Sequence, residues 1–113
     1  MTAAEVDSWV PESCTLPSVE QPVRLAEFDA FFAETVRSAD RLGPDRLRLV
    51  LDPAAQTAAR AADLMVRETD CCSFFTFSLI VTGGEVVLEV LVPPGQSVVL
   101  DALAVRAVAG IPA

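Results

Sequence analysis

The stretch Arg46-Leu47-Arg48-Leu49-Val50-Leu51-Asp52-Pro53 changes its period partway along, and that change decides the fold. Leu47, Leu49 and Leu51 fall on one side and Arg46 and Arg48 on the other, the two-residue alternation of a half-buried strand. Asp52 and Pro53 then read as a helix start, because aspartate accepts orphan amide hydrogen bonds at an N-cap and proline is preorganised for a first turn. A helix is expected from Pro53 to about Thr69, with Ala54, Ala58, Ala61 and Met65 facing inward. Alanines on that side allow a helix to lie close to a sheet.

Upstream, Leu25, Phe28, Phe32 and Val36 recur at spacings of three and four, with Glu27, Glu34 and Arg37 between them, the pattern of an amphipathic helix. Gly43 and Pro44 close that segment. From Thr2 to Pro22 the chain is irregular, interrupted by Pro11, Pro17 and Pro22, with Trp9 and Val10 as apolar anchors. Residues 1–22 are therefore read as an arm and residues 23–113 as one α/β domain. Downstream, an aromatic and aliphatic run from Ser73 to Val81, a turn at Thr82-Gly83-Gly84, and an alternating run from Glu85 to Val92 form a β-hairpin. Pro93, Pro94 and Gly95 end it, and a last helix runs from about Ser97 to Ala109, with Leu100, Leu103, Ala104 and Ala107 on one side.

The expected order is helix, strand, helix, strand, strand, helix. This is an α+β domain with a three-stranded sheet and helices on one face, a reduced ferredoxin-like arrangement. So small a sheet leaves a face uncovered, and the Phe-rich strand carries apolar side chains on both sides. A homodimer is an expected partner state.

The chain has 113 residues, enough to bury a core without a metal or disulfide staple. Its hydrophobic content is 52% and its mean hydropathy +0.46, yet no apolar run approaches the roughly 20 residues that span a bilayer. Residues 1–10 carry Glu5 and Asp7 and no positive charge before any apolar stretch, which is not the layout of a secretory signal. A cytoplasmic location and no membrane partner are expected. Net charge is −8 and all eight cations are arginine, so direct nucleic-acid binding is not expected. His and Tyr are absent, which excludes serine triads and histidine zinc sites.

That leaves the three cysteines, Cys14 and the adjacent Cys71 and Cys72, as the groups able to carry chemistry near neutral pH. An odd number in a reducing compartment is not a disulfide framework. Thiolates are soft ligands for Hg(II), Cu(I), Cd(II), Zn(II) and trivalent arsenic, and three of them suit a three-coordinate soft ion. Zn(II) would take a fourth ligand, which Glu68, Asp70 or water could supply. Glu68 lies one helical turn before the pair. Cys14 joins only if the arm folds across the junction. The helix C-terminus and the neighbouring Asp70 and Glu68 disfavour thiolates, with Arg67 as the local counterweight, which argues against a freely nucleophilic cysteine and for a site where the metal displaces the proton. Buried thiols acting as small hydrophobes, and a strained ring disulfide between neighbours, are the competing readings. The Phe28, Phe31, Phe32 and Phe74, Phe75, Phe77 groups read as core.

The string Glu68-Thr69-Asp70-Cys71-Cys72-Ser73-Phe74-Phe75-Thr76-Phe77 resembles small uncharacterised bacterial proteins with an E-x-x-C-C-x-F-[FL]-x-F core, some of them associated with MerR-type metal-responsive regulators. The resemblance covers roughly Leu25 to Ala109 in pattern and implies a metal or stress context, within which heavy-metal handling or resistance is the expected role. A fainter one, to organomercurial lyases, rests on an early cysteine, a later Cys-Cys pair entering a Phe-rich strand, and an Asp, imitated here by Cys14, Cys71, Cys72 and Asp70. It would imply an enzyme in which thiolates grip mercury and a carboxylic acid protonates the departing carbon. This chain departs from it in being much shorter, in setting Asp70 beside the pair, and in the helical segment between. The leading expectation is a soft-metal thiolate-binding domain, with a mercury-lyase-like enzyme and a metal-free redox or dimerisation module as alternatives.

Overall fold

A computed structural model describes residues 21–71, 74–109 and 111, with side chains described from Leu25 onward except at Cys71. The elements are α1 (Gln21–Thr35), β1 (Val36–Gly43), β2 (Arg46–Leu51), α2 (Ala55–Cys71), β3 (Thr76–Thr82), β4 (Glu85–Leu91) and α3 (Ser97–Ala109). The α+β class is as expected. Among the described residues, however, the sheet has four strands in the order β1-β2-β4-β3, not three, and every neighbouring pair is antiparallel. β2 and β3 therefore run parallel to each other with β4 inserted between them, joined by the α2 crossover.

The extra strand is β1, which the sequence reading absorbed into the first helix. Its composition, Val-Arg-Ser-Ala-Asp-Arg-Leu-Gly, has no clean alternation, because it is an exposed edge strand with two register irregularities against β2. What stops α1 is local. The Thr35 hydroxyl donates back to the Phe31 carbonyl at 2.6 Å, and the Thr35 carbonyl accepts the Asp52 amide at 2.7 Å instead of continuing the helix. α1 also begins earlier than expected and takes in Pro22, tolerated because a first-turn residue has no intrahelical amide partner to lose.

Asp52 does not cap α2. Its carboxylate bonds Arg37 at 3.2 Å, and Ala54 instead occupies the cap position, its carbonyl accepting from Thr57 and Ala58. Ala61 and Met65 are buried as expected, whereas Ala54 is exposed and Ala58 half-buried; Thr57, Leu64 and Glu68 complete the inward face. The β3–β4 turn places Gly83 and Gly84 at φ of 55° and 79°, the two positive values of a tight hairpin turn that matches strand twist.

Cross-strand partners share a face, so the register defines two sides of the sheet. Leu47, Leu49 and Leu51 of β2 oppose Val90, Leu88 and Val86 of β4, and all six are buried under the helices. Phe28, Phe31 and Phe32 of α1 enter the same core, as do Leu100, Leu103 and Ala107 of α3. α3 packs over β1 and β2, α2 over β3, and α1 touches both other helices. The opposite side carries no described helix. It shows a charged rung, Asp40, Arg48, Glu89 and Ser78, beside a more apolar one, Ser38, Val50, Val87 and Ile80.

Candidate functional site

The cysteine pair falls where α2 hands over to β3. Helix α2 reaches Cys71, and β3 starts at Thr76. Cys72 and Ser73, the side chain of Cys71, and Cys14 with the whole of residues 1–20 lie outside the described residues. The expected contact of Cys14 with the pair, and the role of Trp9 and Val10 as anchors, lie outside them too.

What is described around the pair is specific. Thr57, Ala61, Leu64 and Glu68 follow one line of α2 at helical spacing, and all four are buried. Three of these suit a helix laid on a sheet; the fourth is a carboxyl only 1% exposed, and glutamate is among the residue types least often buried unless partnered. Glu68 does have further interactions, as does Phe75. On the far side of the junction Phe75 is buried, edge-on to Phe74 at 5.2 Å and stacked obliquely near Phe77 at 5.6 Å. Phe28, Phe31, Phe32 and Phe75 are core, as expected, while Phe74 and Phe77 are half-buried against it. A buried acid and a group of aromatic rings thus flank the cysteine pair in the chain.

Asp70 is exposed, on the solvent side of the last turn, and so does not share the buried position of Glu68. Thr69 closes the helix end by donating its hydroxyl to the Val66 carbonyl at 3.1 Å. Arg67 turns away toward α1. It pairs with Glu27 at 2.9 Å and with Asp63 at 3.0 Å, and those carboxylates, Glu27 first, raise its pKa above the ordinary arginine value. A cation held by two acids is no counterweight for thiolates, which corrects the part expected of it.

The groove between α1 and α2, about 180 Å³, is lined by Glu27, Ala30, Phe31, Arg60, Asp63 and Arg67 among others. Its charges are paired, Arg67 with Glu27 and Asp63 inside the groove and Arg60 with Glu34 beyond it at 2.8 Å, Arg60 being set over the Phe31 ring at 5.7 Å. It behaves as an inter-helix clasp rather than a ligand pocket. Among the described residues no group of three or more Cys, Asp or Glu is placed to hold a metal ion, and no helix is long and apolar enough to cross a membrane.

The sequence reading missed Arg41. Its guanidinium donates to the carbonyls of Gly43 (2.8 Å) and Pro44 (2.9 Å) and to Asp101 of α3 (2.6 Å), tying the β1–β2 turn to the last helix. Nothing in a one-dimensional pattern links position 41 to position 101. Comparison of the chain with protein-family models, with curated proteins and with solved structures gives no match. The functional reading rests on these residues.

Proposed function

We propose that the domain binds a soft metal ion through the thiolates of Cys71 and Cys72 at the α2–β3 junction, with Cys14 as a third ligand and Glu68 as the supporting acid. The observation that supports the reading most is the burial of Glu68 one helical turn before the cysteine pair, at the end of the buried line Thr57, Ala61 and Leu64. A carboxyl in that place can orient a ligand or accept the proton a thiol gives up, and such outer partners typically change metal affinity by about 10–100-fold. Exposed Asp70 is the lesser candidate. The ion is cargo here, Hg(II), Cd(II), Zn(II) or trivalent arsenic being the class that prefers sulfur.

Each coordinating thiol releases its proton as the metal–sulfur bond forms. Affinity should therefore rise with pH up to the ordinary thiol range, around pH 8.5. The test is native mass spectrometry of reduced protein with Hg(II), Zn(II), Cd(II) and arsenite, for the wild type and for Cys71→Ser/Cys72→Ser, Cys14→Ser and Glu68→Gln. Stoichiometric uptake should vanish in the double variant and weaken in the other two. Uptake that survives the double variant, or no defined uptake by the wild type, rejects the reading.

A further inference from the structure

The geometry points to a two-fold homodimer in which the outer edges of β3 from two copies pair antiparallel, joining two sheets into one, while the outer flanks of the two α2 helices meet above the seam. This goes beyond the thiolate reading and does not depend on it.

The first observation is the edge itself. Among the described residues β4 is the only strand beside β3, and none of them forms a ladder with the backbone groups of β3 that point away from β4. Natural edges are usually blunted by charges, proline, glycine or a bulge. Thr76-Phe77-Ser78-Leu79-Ile80-Val81-Thr82 has none of these, and its register with β4 is unbroken over all seven residues. Leu79, Ile80 and Val81 are 36%, 38% and 66% exposed, an uncommon placement for three successive large apolar side chains.

The second observation lies on the helix above. α2 packs on β3 and meets α1 along one flank, which carries Arg60, Asp63 and Arg67. At helical spacing the opposite flank carries Ala58, Ala62, Val66 and Thr69. Facing away from α1, it overhangs the free edge of β3. Val66 there is 60% exposed, and the alanines let a second helix approach closely.

Both parts select a second copy as the occupant. An antiparallel pairing centred on Leu79 sets Phe77 against Val81 and Ser78 against Ile80, so one two-fold axis makes the strand complementary to itself. The same axis brings flank to flank. In a chain of net charge −8, neither the strand nor the flank carries a charge, so like-charge repulsion is least here and a charged peptide would find nothing to pair with.

The test is sedimentation equilibrium of the full chain under reducing conditions, over about 1–100 µM, the range in which ordinary dimers dissociate. The variants are Val81→Lys on the edge and Val66→Lys on the flank. The wild type should dimerise, and each variant should raise the dissociation constant by about tenfold or more, because a lysine is desolvated in the seam. Unchanged circular dichroism and melting separate loss of association from loss of fold. If Val81→Lys does not fold, Val66→Lys decides, together with hydrogen exchange of wild-type β3, whose outward amides should lose protection on dilution. A wild type that stays monomeric overturns the inference, including the case in which residues 1–20 of the same chain protect that edge. A dimer weakened by neither variant overturns it as well.

Discussion

The two edges of the sheet are built on opposite plans. β1 is irregular, with Arg37, Asp40 and Arg41 along it and two breaks in its register, and its ladder to β2 is supplemented by side chains: Arg37 to Asp52, Arg41 to three carbonyls and to Asp101. β3 is regular and uncharged, and it is held by its backbone ladder to β4 and by the packing of α2 above it. An edge stabilised by its own polar side chains resists further pairing, whereas one stabilised only through its inner ladder leaves its outer ladder available. Among the described residues the contrast separates an edge tied down by polar side chains from one without them, and the cysteine pair precedes the second in the chain.

The largest expected effect hits both edges together. Leu88 of β4 is fully buried and lies in register between Leu49 and Leu79, at the centre of the helix-covered face. Leu88→Ala should cost about 2–5 kcal/mol, the usual range for a buried leucine truncated in a close-packed core. Urea denaturation measures it. A loss under about 1 kcal/mol would mean that the two halves of the sheet do not share one core.

Arg41→Ala breaks the β1 side alone. Its contacts to the turn and to α3 are partly exposed, so solvent screening discounts them, and a total near 1–2 kcal/mol is expected from several modest hydrogen bonds and one ion pair. Hydrogen exchange should quicken in β1 and the start of α3 while β3 keeps its wild-type rates. Acceleration spread evenly over both edges would erase the contrast. Gly84→Ala perturbs the other hairpin. Its φ of 79° is strained for any residue with a Cβ, although no neighbouring atom would be struck, so a cost of about 1 kcal/mol from backbone conformation is expected. Gly84→Asn should lose less than Gly84→Ala in the same melts, because asparagine tolerates positive φ better.

The legible parts of this fold were those whose burial is one-sided and periodic. β2, α2 and α3 alternate or repeat cleanly because one face of each meets the core, whereas the β3–β4 hairpin, in which β4 buries Val86, Val87 and Leu88 in succession, was legible from its Gly83-Gly84 turn. β1 was not legible, because an edge strand with bulges meets the core at few positions, and Arg, Ala, Asp and Leu are also good or tolerable helix residues. Asp52-Pro53 was legible as a boundary but not in its detail, since Arg37, brought over by the unseen strand, takes the carboxylate that a local reading assigns to the helix cap. At the candidate site the sequence singles out the cysteines and Glu68. It does not separate Glu68 from Asp70, two carboxyls two positions apart, and burial does: the first lies on the line of Ala61 and Leu64, the second faces water.

The smallest expected effect is the sharpest test of the open edge. Val81→Lys, measured as urea stability at concentrations well below dimer dissociation, should leave the monomer within about 0.5 kcal/mol of wild type, as substitutions at exposed sites usually do. Val81 is two-thirds exposed on an outer strand, opposite Val86 on the inner one, so a lysine there can keep its ammonium in water while its stem covers the same apolar surface. The same change on a closed surface would strand a charge. If the monomer instead loses more than about 1 kcal/mol, that side of β3 is already packed within a single chain. β3 would then be as closed as β1, and the difference between the two edges would be one of composition and not of availability.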